Sequence, residues 1–276
     1  MPGNERTSGG LAGSLRPGQH PHVLSDYEVL EKIAESPRGR VDHARNAVDG
    51  GEVALKWVAD PRVAAREVEA LTRLQHPRIV RLLEHGEAGE DSWLALEWLD
   101  GGTVEQAAPL SLREWQRFAV DALEALQAVH QAGLLHLDVK PANFMQAGGR
   151  GGWKLIDFGE CGPAAQASER AWTGSIHCMA PERFGRAELD GRTDVYSLGC
   201  TLAFALAGRF VHEGETVPQV ITSHLHPPDW EQQAVFAELP DARRSWLRSL
   251  LSVDRDRRPD AASALDALKS FGAVTS

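Results

Sequence analysis

The sequence predicts an α+β fold of two unequal parts, a small strand-rich half followed by a larger, mainly helical half. Three observations carry this. Residues 27–99 hold short apolar stretches of strand length, with one segment of helical periodicity among them. A Gly-Gly break follows at Gly101 and Gly102. Beyond it, apolar residues recur at helical spacing. A cleft between two such parts is where a site is expected.

The elements follow in order. "YEVLEKIAE" and "RVDHARN" read as two strands around a turn at Ser36-Pro37-Arg38-Gly39. "GEVALKWV" is a third strand, opened by the turn Asp49-Gly50-Gly51. Val63, Glu67, Ala70, Leu71 and Leu74 share helical spacing, and Pro61 suits a helix start, so residues 61–74 form a helix. "RIVRLLEHGE" and "SWLALEWL" give two more strands. Past the break, residues 111–133 make the clearest helix. Ser111 and Glu114 form a capping box, Gly133 stands at the stop, and Trp115, Phe118, Ala122, Leu126 and Val129 mark its apolar stripe. Two strand pieces around "NFMQ" and "WKLIDF" are joined by the hairpin connection "AGGRGG". "VYSLGCTLAFALAG" (195–208) is too short to span a bilayer and reads as a buried helix.

Composition bounds the function. The chain has 276 residues, 39 acidic and 29 basic side chains and a net charge of -10, which opposes nucleic-acid and anionic-membrane binding. Three cysteines, Cys161, Cys178 and Cys200, show no metal-ligand spacing and suggest free thiols in a reducing, cytoplasmic setting. Residues 1–25 lack an apolar run, so no signal peptide is visible, and their Gly/Ser/Pro/Arg content reads as a disordered tail. His212, His224 and His226 have no acidic partners at useful spacing and are assigned to the surface or to packing. Oligomeric state is left open by the sequence.

Chemistry concentrates in "HLDVKPAN" (136–143). Asp138 can accept or orient a hydroxyl proton, Lys140 can neutralise a group in transfer, and Asn143 offers an amide oxygen to a hard cation. Asp157 of "LIDFGE" adds a second hard oxygen. Lys56, on a strand, and Glu67, on the next helix, complete a set suited to a nucleotide triphosphate with its metal.

In this order the set resembles the eukaryotic-type (Hanks-type) serine/threonine protein kinase family. "VALK" looks like its strand lysine motif, Glu67 the partner on the small-lobe helix (αC in that family), "HLDVKPAN" the catalytic loop, and Asp157-Phe158-Gly159 the DFG motif. Ala180-Pro181-Glu182 is similar to APE, and Arg258 of "RDRRPD" to the arginine that pairs with its glutamate. The resemblance covers residues 26–272 and implies a bilobal protein kinase fold, with an N-lobe at 26–99 and a C-lobe at 102–272. It implies ATP and Mg²⁺ as cofactors and a protein substrate with a Ser or Thr acceptor. Asp138 is then the base, Lys140 its partner, and Asn143 and Asp157 the metal ligands. Leu96 is then the gatekeeper, and the backbones of Glu97 and Leu99 take the adenine edge, with Trp98 pointing outward. Val41 and Ala54 cover the ring, and Ser175 bridges Asp138 and Lys140.

The sequence departs from the family pattern in three places. Its glycine loop reads Ala34, Ser36 and Gly39, keeping one glycine of three, which implies nucleotide binding weakened by roughly 1–2 kcal/mol, or about tenfold. Leu137 replaces the arginine that clamps an activation-loop phosphate in many members, so activity is expected not to need phosphorylation at Ser168, Thr173 or Ser175. The competing reading is that Leu137 packs and that Arg170 or Lys154 clamps. Cys178 stands where a tyrosine is common. Alternatives for the whole are a catalytically silent scaffold with a weakened ATP site and a dual-specificity kinase.

Overall fold

A computed structural model describes residues 26–89, 91–149, 151–167, 175–185, 187–227, 229 and 234–272. The tail at 1–25 and the candidate positions Ser168, Arg170 and Thr173 lie outside them.

The small lobe is a five-stranded antiparallel sheet of order β1-β2-β3-β5-β4. Its strands are β1 (Tyr27–Ser36), β2 (Gly39–Asn46), β3 (Glu52–Val58), β4 (Leu82–Ala88) and β5 (Asp91–Glu97). Helix α1 (Pro61–Arg73) packs beside it, capped by the Asp60 side chain on the Arg62 amide. β4 begins four residues later than the pattern suggested. Ile79 bridges to Leu155 and the Val80 amide donates to the Leu155 carbonyl, so that stretch fastens the two lobes together instead.

The larger lobe opens with α2 (Val104–Ala107) and α3 (Leu112–Gln131). The α3 capping box forms between Ser111 and Glu114, and Gly133 exits at φ 73°. Then come β6 (Leu134–Leu135), β7 (Phe144–Ala147), β8 (Gly152–Leu155), β9 (Gly162–Pro163) and α4 (Ala164–Ala167). β7 and β8 form the hairpin expected of "AGGRGG". Helix α5 (Gly191–Ala207) is buried on every side from Thr193 to Leu206 and ends on Gly208 at φ 68°. Helices α6 (Val217–Leu225), α7 (Ala234–Ala237), α8 (Asp241–Leu250) and α9 (Ala261–Ser270) surround it. Edge-to-face contacts of Phe118 with Phe144 and Trp153, and of Trp115 with Trp246, fill the centre. No helix among the described residues is long and apolar enough to cross a membrane.

Candidate active site

A cavity of about 950 Å³ opens between the lobes, lined by Ala34, Ser36, Gly39, Val41, Lys56, Asp138, Lys140 and Asp157, among others. The strand register explains how these residues converge. Val41 pairs with Lys56, and Ala54 with Leu96. Directly opposed residues share a sheet face, so Val41, Ala54, Lys56 and Leu96 lie on one face, with Val41 and Lys56 in the cavity lining and Ala54 and Leu96 outside it. Glu97 and Leu99 follow at the back, outside the cavity lining. The Glu97 carboxylate accepts from the Arg81 amide at 2.8 Å and from Lys154 Nζ at 2.6 Å. Lys154 is therefore committed behind the cleft and is no phosphate clamp. Trp98 does not simply point outward. It is half-buried and stacks on His43 of β2, with centroids 3.7 Å apart and planes 8° apart.

One ammonium organises the phosphate end. Lys56 Nζ lies 2.8 and 2.7 Å from the two Glu67 oxygens and 2.8 Å from Asp157 Oδ1. Burial works against the Lys56 charge, yet Glu67 and Asp157 outweigh it and hold its pKa above the ordinary range. Burial also disfavours charge on Asp157, but Lys56 more than offsets this and brings it down to about 2. Glu67 is fully buried, and that burial pushes it up despite Lys56. Glu67 Oε1 also accepts from the Phe158 amide at 3.3 Å, and Arg66 holds the Gly159 carbonyl at 3.1 and 3.2 Å. Helix α1 is thereby tied by three hydrogen bonds to Phe158 and Gly159. Asp157 itself sits at φ 62°, a left-handed conformation costly for a non-glycine residue and held here by those contacts.

The catalytic loop hangs from α5. Asp194, fully buried, accepts from the amides of His136 at 2.8 Å and Leu137 at 2.9 Å, and from His130 Nε2 at 3.0 Å. Leu137 at φ 65° is buried against Leu135, Ala164 and Leu189, and Arg183 holds its carbonyl. Leu137 therefore packs. His136 places its ring edge on buried Phe158, with centroids 4.8 Å apart.

This scaffold presents Asp138. Its Oδ2 accepts from Lys140 Nζ at 2.7 Å and Asn143 Nδ2 at 3.0 Å. Its Oδ1 is buried with no hydrogen-bond partner among the described residues. Ser175 makes no hydrogen bond to Asp138 or Lys140 among the described residues, so the expected bridge is replaced by the direct Lys140–Asp138 pair. Asn143 spends its nitrogen on Asp138, which leaves its oxygen for a cation. With Asp157 Oδ2, also outside any hydrogen bond among the described residues, it forms a hard oxygen donor pair that fits Mg²⁺.

At the turn, Ser36 Oγ accepts from the Arg38 amide at 3.2 Å and closes the hairpin locally. At the far side, Arg258 Nη1 and Nη2 lie 2.7 and 2.9 Å from the two Glu182 oxygens, a buried bidentate pair as the resemblance implies. The sequence reading took Asp194 as the start of the buried helix but gave it no role in holding the catalytic loop. It also placed His212 and His224 no closer than surface or packing. Both are buried, beside Tyr196.

Comparison with known proteins agrees with this geometry. Residues 27–268 match the family model described as the protein kinase domain. The chain is 28% identical over 272 residues to a probable serine/threonine-protein kinase, PkwA, of Thermomonospora curvata, covering 93% of this chain and 35% of that one. It is 30% identical over 256 residues to the DNA damage-responsive serine/threonine-protein kinase RqkA of Deinococcus radiodurans, covering 87% and 38%. It is 31% identical over 245 residues to the serine/threonine-protein kinase PknB of Mycobacterium tuberculosis, covering 79% and 39%. The chain thus spans between a third and two fifths of the length of these relatives. From its strand lysine to its buried Glu182–Arg258 pair, it belongs to the protein kinase domain family.

Proposed function

We propose that this chain is a serine/threonine protein kinase domain that transfers the γ-phosphoryl group of ATP to a Ser or Thr hydroxyl of a protein. The observation that carries it is Asp138 Oδ1, a buried carboxylate oxygen with no partner among the described residues, beside an Oδ2 held by Lys140 and Asn143. A buried acceptor of this kind costs free energy unless a donor arrives, and a substrate hydroxyl is that donor.

The residues divide the work. Asp138 orients the hydroxyl and takes its proton. Lys140, already on Asp138, neutralises charge gathering on the transferred group. Lys56, fixed by Glu67, holds the phosphates. Asn143 and Asp157 would hold Mg²⁺, which would supply charge neutralisation for the phosphates. Val41, Ala54 and Leu96 enclose the base, with the backbone of Glu97 and Leu99 at its edge. The wording of the catalytic loop favours Ser/Thr over dual specificity. The assembled Lys56–Glu67–Asp157 cluster favours turnover over a silent scaffold. Leu137, packed and uncharged, offers no clamp, so activity is independent of activation-loop phosphorylation. Three cysteines outside any disulfide among the described residues fit a cytoplasmic setting.

The test is radiolabelled γ-phosphate transfer from Mg-ATP to a generic basic protein, with phosphoamino-acid analysis. Asp138→Asn is expected to lower the rate by orders of magnitude and to leave nucleotide affinity within about twofold. A near-wild-type rate rules out Asp138 as the base. Phosphatase-treated enzyme keeps its rate; a large loss returns the clamp to some other residue.

A further inference from the structure

We propose that Cys200 Sγ, His212 Nε2 and His224 Nδ1, with Tyr196 Oη beside them, form a buried site for a soft metal cation of the copper(I) or zinc(II) class. It lies in the larger lobe, away from the nucleotide cleft. Tyr196 and Cys200 sit one turn apart on α5, His212 on the segment after it, and His224 on α6. The Cys200, His212 and His224 ligand atoms lie within 4.8 Å of one another. All four residues are buried, at 1% exposure or less.

Hydrogen counting supports a cation. His212 Nδ1 lies 3.0 Å from both the Ser223 carbonyl and the Ser223 hydroxyl, and a hydroxyl donating to it would leave the ring lone pair facing the carbonyl oxygen, so the hydroxyl accepts with the carbonyl; His224 Nε2 lies 2.8 Å from the Ile176 carbonyl. A carbonyl only accepts, so each of these outer nitrogens carries the ring hydrogen. Each neutral ring then turns a lone pair inward. His212 Nε2 is 3.1 Å and His224 Nδ1 is 2.8 Å from the same atom, Tyr196 Oη. One hydroxyl hydrogen cannot serve two lone pairs, and no hydrogen bond joins Cys200 to either ring among the described residues. Charging one ring would supply the missing hydrogen, but among the described residues no carboxylate bonds to either ring, and both are buried, which makes that charge costly. A metal ion satisfies both nitrogens at once. Outer ring hydrogens anchored on backbone carbonyls are also how metal-binding histidines are held.

The donor set selects the ion. One sulfur and two imidazole nitrogens suit copper(I) or zinc(II) and exclude Mg²⁺ and Ca²⁺. Binding releases the Cys200 thiol proton to solvent and leaves a thiolate. With copper(I) the site is then neutral. With zinc(II) it keeps one buried positive charge, unless Tyr196 also ionises. The nearest charges, Arg258 over the Tyr196 ring at 4.7 Å and its partner Glu182, already cancel. Charge counting therefore ranks copper(I) first. The ion would join α5 and α6, and through His224 the turn at Ile176–Cys178, whose Ile176 carbonyl that ring holds.

Sequence spacing hid this site. The cysteine lies 12 and 24 residues from the two histidines, far from any short ligand motif.

The experiment titrates the purified full chain with copper(I), under anaerobic conditions against a chromophoric competitor, and separately with Zn²⁺ and Co²⁺. One equivalent is expected to bind and to raise the thermal midpoint, and the Co²⁺ form should show a thiolate-to-cobalt charge-transfer band. Cys200→Ser and His212→Phe are each expected to weaken binding at least tenfold. Zinc binding tighter than copper(I) would support the site and overturn the charge ranking. Absence of a one-equivalent event with all three ions overturns the site, as does a cobalt spectrum without sulfur ligation. The wild-type spectrum decides even if a variant fails to fold.

Discussion

Gly39 shows how one residue sets the mouth of the cleft. Its φ is +156°, and a β-carbon there would stand 2.0 Å from the Trp57 carbonyl oxygen. No L side chain fits, and the obstacle is backbone that cannot swing aside. Gly39→Ala is expected to lower the thermal midpoint and to weaken nucleotide binding about tenfold, measured by titration calorimetry. Ala34→Gly, by contrast, adds freedom without relieving a clash. The sequence made Gly39 legible because only a glycine survives where the chain reverses against its neighbour. Asp138, Lys140 and Asn143 were legible for a similar reason, since they lie within one short loop. Ser175 was not, because its distance from Asp138 depends on the path of a long intervening segment. Trp98 was misread because its partner, His43, comes from a strand that the hinge sequence says nothing about.

At the scale of elements, two polar attachments fix the apolar helix α5. Its start binds the catalytic loop through Asp194. Its first turn meets Glu182, which Thr193 and Arg258 share. Arg258 is fully buried and Glu182 nearly so, so removing one partner strands a charge away from water. Arg258→Met is expected to cost about 3–5 kcal/mol in chemical denaturation, and Glu182→Gln added to it should recover part of that loss. Equal loss in single and double variants would show that packing against Tyr196, not charge, dominates. Helices α1 and α3 were visible by period and α5 by its apolar run, and α3 starts and stops at its predicted caps. The short elements α2, α4 and α7 carry too few turns to show a period, and the start of β4 was displaced by a bridge to β8.

For the whole molecule, the order of strands and helices in the sequence was enough to imply two lobes and a cleft. What it did not contain was the wiring across them. Lys56 and Asp157 are 101 residues apart in sequence, and only the closed arrangement of both lobes brings them within 2.8 Å. The buried Cys200–His212–His224 group is a second such case, assembled from segments that no local pattern connects. Long-range polar contacts of this kind leave little trace in periodicity, since one residue per segment takes part.

The attachment of His136 and Leu137 to Asp194 has a consequence for motion. Their amide hydrogens are donated to a fully buried carboxylate on the most enclosed helix of the fold. They can meet solvent only when that helix leaves the core. In native-state hydrogen–deuterium exchange these two amides should therefore be released with the slowest class, at the free energy of global unfolding. The Arg38 amide, held only by an exposed Ser36 hydroxyl, should be released among the fastest. The floor of the cleft would then be as long-lived as the core itself, while its roof opens and closes independently.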